Sequence, residues 1–157
     1  MTHALRLRFQ VDDLEGDAIR ALVARHLRGM HEHSPPESVH ALDLSRLRDP
    51  AVTFWSAWAS NALAAMGALK QLDGARGEIK SMRVADAFLG RGVGRAMLEH
   101  IVAEARRRGM TSLWLETGSA PAFTPALRLY ERAGFVRCGP FDDYVEDPFS
   151  IFMTMRI

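Results

Sequence analysis

Gly77–Leu98, GEIKSMRVADAFLGRGVGRAML, is the stretch from which the rest of the chain is read. A short segment, Glu78 to Val84, has the composition of a strand and runs into a glycine-spaced turn. The turn runs directly into an amphipathic helix. Val93, Met97, Ile101 and Ala105 form one apolar stripe of that helix, with Leu98 and Val102 beside it. Within the turn Gly90, Gly92 and Gly94 alternate with Arg91, Val93 and Arg95, so several backbone N–H groups converge at a helix N-terminus. The unpaired first-turn donors and the positive end of the helix dipole favour a phosphate. The missing side chains let it approach, and the arginines add charge-assisted bonds.

Glycine-rich turns serve several folds, so the phosphate ligand has to be argued from spacing. Neither Gly90-x-Gly92-x-x-Arg95 nor Gly92-x-Gly94-x-x-Met97 completes the dinucleotide fingerprint, and no G-x-x-x-x-G-K-S/T run occurs. The turn resembles instead the pyrophosphate loop of the GNAT family, the GCN5-related N-acetyltransferases. That loop reads Arg/Gln-x-x-Gly-x-Gly/Ala after a strand; Gly92 and Gly94 fill its small positions, and Leu89 stands where Arg or Gln is usual. A second stretch, Ala126–Phe135 (ALRLYERAGF), is similar to the family's later A-x-x-L-Y-x-x-x-G-F segment. The resemblance runs from about Ala62 to the C-terminus and is thin before that.

The resemblance implies an α/β (α+β) GNAT fold: a central mixed, mainly antiparallel twisted sheet of about seven strands flanked by about four helices. It implies acetyl-CoA as cosubstrate and direct transfer in a ternary complex, with no acetyl-enzyme and no metal. Main-chain groups of Met82, Arg83 and Val84 would bind the pantetheine arm, and Leu89 to Arg95 the pyrophosphate. Phe123 stands where many relatives carry an asparagine that touches the arm, so that contact is expected to be absent. Relatives also carry a bulge in the Glu78–Val84 strand that opens a slot beside the next strand. Dimerisation through the last strands is common in relatives, which makes a homodimer an expectation.

Composition sets the outer limits. With 157 residues, 48% hydrophobic and 25% charged, the chain has the make-up of one domain, residues 1–157, with a sizeable core. Twenty basic against nineteen acidic residues leave a net charge of +1, which argues against a general nucleic-acid binder. The single Cys138 cannot form an internal disulfide and reads as structural. No apolar run is long enough to span a membrane and the N-terminus lacks a cleavage pattern, so a soluble, unprocessed, cytoplasmic protein is expected.

Taken in order, Ala4 to Val11 alternates apolar and polar residues as a half-buried strand does. Asp17 is positioned to cap a helix carrying Ile19, Leu22, Val23, His26 and Leu27 inward, ending at Gly29. His31-Glu32-His33 precedes Pro35-Pro36; the i, i+2 spacing is wrong for a helical metal pair, so a solvated or substrate-lining loop is expected. Ser38 to Leu47 reads as a short helix stopped by Asp49-Pro50. Ala51–Ser60 and Ala62–Gln71 form a hairpin, and Asp73-Gly74 turns into the Glu78 strand. After the glycine loop the helix ends at Arg106–Gly109, an arginine run that offsets the dipole. Thr111–Thr117 is a buried strand parallel to the first half of the crossover. Thr124-Pro125 caps a helix to Ala133, Phe135–Cys138 starts a strand, Phe141–Pro148 is an acidic loop, and Ser150–Ile157 is the last strand.

Acetyl transfer from a thioester to an amine needs a base for the amine, a polarised carbonyl and a donor for the leaving sulfur. Glu78 is the candidate base, placed as in the histone-acetyltransferase branch of the family; a pair with Lys80 is its structural alternative, and Glu116 on the adjacent strand its rival. Tyr130 matches the family tyrosine that hydrogen-bonds or protonates the departing sulfur. Trp55, Glu116, Tyr144, His31 and His33 are candidate acceptor-lining residues, with core packing the alternative for Trp55. The acidic Phe141–Asp147 loop would steer a cationic amine of a small molecule or peptide. A catalytically idle acyl-CoA sensor and a protein-interaction module on the same scaffold stay open as other readings.

Overall fold

A computed structural model describes residues 5–157, arranged as a seven-stranded sheet with helices on both faces. The strands are β1 (Arg8–Val11), β2 (Val52–Ala59), β3 (Ala62–Gln71), β4 (Arg76–Val84), β5 (Ser112–Gly118), β6 (Val136–Cys138) and β7 (Ser150–Arg156). The helices are α1 (Asp17–His33), α2 (Leu44–Leu47), α3 (Val93–Arg107) and α4 (Thr124–Ala133). Across the sheet the order is β1-β2-β3-β4-β5-β7-β6, with only the β4–β5 pair parallel. That pair is joined through α3, the crossover that parallel neighbours require.

Two cores lie on opposite faces. One gathers Met97, Leu98, Ile101 and Ala105 of α3 and Leu127 and Tyr130 of α4 against Ala65, Leu69, Ile79, Leu113 and Leu115. The other gathers Ile19, Leu22 and Val23 of α1 and Leu47 of α2 against Phe54, Met66 and Ala68. Successive side chains of a strand point to opposite faces, so Phe54 and Trp55 enter different cores. Small residues in β3 bring the helices close to the sheet. A Cβ on Gly67 would lie 2.9 Å from Ile101 Cδ1 and 2.9 Å from Met82 Sδ.

The hairpin, the crossover and the last two strands follow the sequence reading. Several boundaries near the site do not. The regular part of β1 begins at Arg8, and Ala4 lies outside the described residues. Helix α1 continues past Gly29 to His33 and stops where Ser34 becomes extended before Pro35. Gly29 serves close packing: a Cβ there would lie 2.6 Å from Arg83 Nη2. The helix expected over Ser38–Leu47 breaks in two, a 3₁₀ turn at Pro36–Ser38 and the four-residue α2. The cause is Asp43, whose carboxylate accepts the Arg46 N–H at 2.9 Å and restarts the helix there. Asp17 and Thr124 are the first residues of their helices and make no side-chain cap.

Candidate active site

The loop ahead of α3 has the backbone that its glycines imply. Gly90 and Gly92 hold φ of +72° and +78°, a region that side chains rarely enter. Gly92 is the N-cap of α3. A Cβ on either would meet nothing within 4 Å, so the requirement is conformational and the outer face of the loop is open. Gly94 answers to space instead, with a Cβ that would lie 3.3 Å from Val84 Cγ2 and 3.4 Å from Leu129 Cδ2. The first helical bond runs from the Ala96 N–H to the Gly92 carbonyl, leaving Val93, Gly94 and Arg95 as first-turn donors. The Arg91 guanidinium covers the Phe88 ring at 5.3 Å, and Arg95 Nε donates to Glu99 at 2.9 Å. Leu89 projects into solvent, 62% exposed.

Beside the loop the sheet opens. Ala68 faces Lys80 and Met66 faces Arg83, so Gly67 alone opposes Ser81 and Met82. This is a β-bulge, and Ser81 sits in it with φ of +57°. Strands β4 and β5 pair only over Arg76–Glu78 and Ser112–Trp114; beyond that β5 bonds to β7 alone. A cavity of about 90 Å³ occupies the divergence. Ile79 to Met82 of β4 and Glu116 to Gly118 of β5 form its sides, and α1, the 38–41 segment, Phe123 and α4 close it.

Glu116 and Tyr130 both line this cavity. Burial pushes the Glu116 carboxyl up to about 7; a hydrogen bond from Ser150 Oγ at 2.7 Å and the charge of Lys80 oppose that rise, and the charge of Glu78 adds to it. Glu116 is thus a carboxyl that can give or take a proton near neutral pH. Tyr130 packs edge-on against Phe135 at 5.8 Å. Burial, with the nearby Glu116 charge, raises its phenol above the ordinary range, so it stays a protonated donor.

Glu78 is not among the residues that line the cavity. It is 2% exposed, and its Oε2 accepts from Lys80 Nζ at 3.1 Å and from Tyr144 Oη at 2.5 Å. Lys80 Nζ also donates to Tyr144 Oη at 2.9 Å. The pairing with Lys80 weighed as the structural alternative is therefore present, and Tyr144 completes it. Tyr144 stacks edge-on with His40 at 4.9 Å and belongs to an aromatic cluster with Phe141 and Phe152.

Trp55 is displaced from its expected place. It is 4% exposed in the α3-side core, edge-on to His100 at 5.4 Å and covered by the Arg108 guanidinium. Its strand is separated from β4 by β3, so the sheet keeps it away from the slot. His31 also misses the cavity, because the extension of α1 places it on the exposed face of the last turn. His33 reaches the neighbourhood only through an edge contact with Phe123 at 6.1 Å. Phe123 lines the cavity and is fitted against Gly118, where a Cβ would fall 2.2 Å from the ring. Met82 lines the cavity, whereas the Arg83 side chain turns to α1 and donates from Nε to His26 Nδ1 at 3.1 Å.

The lining residues that the sequence did not mark as site residues include His26, His40, Lys80 and Ser81. His26 reads as a helix-face residue because its i, i+3, i+4 spacing matches the apolar stripe. Burial, then the charge of Arg83, lowers its pKa to about 3, which keeps the imidazole neutral. With Nδ1 accepting from Arg83, the proton sits on Nε2. His40 is likewise lowered, by burial and then Lys80. The alternation of β4 does signal that Lys80 shares a face with Glu78, but nothing local marks the bulge that turns Ser81 inward.

Known proteins bear on this geometry. The sequence profile described as the Acetyltransferase (GNAT) family matches residues 17–135. The uncharacterized N-acetyltransferase YsnE of Bacillus subtilis (strain 168) is 52% identical over 96% of this chain and 100% of its own length. The IAA acetyltransferase of Azospirillum brasilense is 38% identical over 87% of this chain and 89% of its own. Among solved structures, a GNAT family acetyltransferase from Elizabethkingia anophelis with acetyl-CoA bound superimposes with a TM-score of 0.70 at 18% identity, covering 96% of this chain and 98% of that one.

Proposed function

The chain belongs to the GNAT acetyltransferase family and is an acyltransferase, and on that premise we propose that it moves the acetyl group of acetyl-CoA to a primary amine of a small molecule or peptide, with Glu116 as general base. The observation that carries this reading is the meeting of Glu116 and Tyr130 in one cavity, at the bulge where β4 and β5 part. The glycine loop and the first turn of α3 offer the pyrophosphate its donors. The bulge around Met82 supports a main-chain contact to the thioester oxygen in this reading.

The chemistry then follows from the protonation states. The acceptor's ammonium gives one proton to Glu116, directly or through a water, and the freed amine attacks the thioester carbon. The C–N bond forms as the C–S bond breaks, and the remaining proton lost by nitrogen ends on the sulfur. Tyr130 donates a hydrogen bond to the departing sulfur. An ordinary thiol has a pKa near 8.5, below that of a phenol raised past its usual value, so the phenol retains its own proton. Glu78, held by Lys80 and Tyr144 outside the cavity lining, acts in this reading as a positioning residue for Lys80. The name of the Azospirillum brasilense relative supports acceptors beyond peptides.

Titration with acetyl-CoA followed by thiol release against a panel of primary amines tests the assignment. Saturable binding with amine-dependent release is expected. Binding with no release from any amine would favour an idle acyl-CoA sensor, and absence of binding would return the glycine loop to a purely structural role.

A further inference from the structure

We infer that the acceptor carries a carboxylate as well as its amine, and that Lys80 reads that carboxylate. The inference rests on the reading of the cavity as the acceptor site. Among the described residues that line the cavity, Lys80 is the only lysine or arginine and Glu116 the only carboxylate. An ammonium has three donors; Lys80 spends one on Glu78 and one on Tyr144, which leaves a third. The two bonds also fix the long side chain, so a ligand meets it already ordered.

Its neighbours add to the same demand. Ser81 Oγ is buried with no hydrogen-bond partner among the described residues, and Ser81 lines the cavity. His26, neutral and protonated on Nε2, lines it too. The cavity therefore presents the Lys80 ammonium, the Ser81 hydroxyl and the His26 ring N–H against the one carboxyl of Glu116. A plain alkylamine would satisfy Glu116 and leave the donors unpaired, which costs binding. An amine with a carboxylate pairs both ends: nitrogen toward Glu116, oxygens toward Lys80. The remaining titratable groups facing Lys80 are Glu78, Tyr144 and His40, of which Glu78 balances its charge and His40 is held neutral.

The test compares thiol release from acetyl-CoA with amino acids and with their matched carboxamides. The acids are expected to show KM values lower by about tenfold or more, the range of a hydrogen bond to a charged group. Lys80→Gln alone would strand the buried Glu78, so the Glu78→Gln/Lys80→Gln double variant, with its fold checked by thermal melting, carries the comparison. In it the acid-to-amide KM ratio is expected to fall toward one. Equal KM values for acids and amides in the native protein would overturn this inference and leave N-acetyl transfer standing. A ratio that persists in the double variant would overturn the assignment to Lys80. No release from any amine, with acetyl-CoA bound, would overturn the acetyl-transfer reading beneath it.

Discussion

Replacing Glu116 with Gln separates catalysis from stability, because the two should move in opposite directions. Glu116 is raised from 4.5 to about 7 in the folded protein. Below about pH 4.5 both folded and unfolded chains hold its proton; between there and about 7 only the folded chain does, so stability falls as pH rises through that window. At about 1.4 kcal/mol per pKa unit the shift corresponds to at most about 3 kcal/mol, and solvent screening of the half-buried side chain reduces this to roughly 1–2 kcal/mol. Gln keeps the shape and an acceptor for Ser150 but has no proton to lose. Above pH 7 the variant should therefore be more stable than the native protein by that amount, and the two should converge at about pH 4.5. Over the same range kcat/KM should drop about 10²- to 10⁴-fold, the usual worth of a general base. Native kcat/KM should rise through about pH 7 to a plateau, because the base works only when deprotonated. Ser150→Ala removes the hydrogen bond that opposes the rise, so it should move that limb to higher pH. Denaturant melts across pH 4–9 and initial rates on the same samples supply both readings. An E116Q variant of native activity, or a native rate profile flat from pH 5 to 9, would refute the base assignment.

Other expectations address the supports of the site. Tyr144→Phe removes a donor to a carboxylate that is 2% exposed, and should cost about 1–3 kcal/mol in a urea melt. Gly92→Ala forces a Cβ onto a residue at φ +78°, costing about 1 kcal/mol; because Gly92 caps the turn whose Val93, Gly94 and Arg95 donors are proposed to bind the pyrophosphate, the Kd for acetyl-CoA should weaken in calorimetry. Trp55→Phe should lower thermal stability by about 1–3 kcal/mol equivalent and leave the acceptor KM unchanged, because Trp55 packs in the core on α3.

Much of the fold and the backbone of the glycine loop were legible because they depend on short-range rules. Gly90 and Gly92 mark a turn that backbone sterics permit few other residues to make, and Gly94 marks the close approach of α3 to Val84 and Leu129. The stripe Val93, Met97, Ile101, Ala105 specifies both a helix and the face it buries. Alternation in Phe54–Trp55 and Leu113–Leu115 specifies strands, but not which core each face enters or how far that core lies from the slot. Trp55 shows the difference: its chemistry suits a substrate pocket, and only the strand order places β3 between it and β4.

The cavity between β4 and β5 depended on register and long-range packing. The bulge at Ser81 arises from the count of residues on β3 against β4, which no local pattern expresses. It parts β4 from β5, and the parting places Glu116 in the cavity while Glu78, three residues earlier on β4, stays paired and buried. Both are glutamates on adjacent central strands. From the sequence alone Glu78 and Glu116 were both candidate bases; the tertiary structure gives them different surroundings, Glu116 lining the cavity with a raised pKa and Glu78 paired with Lys80 and Tyr144, because desolvation and partners, rather than residue type, set the protonation of a buried acid.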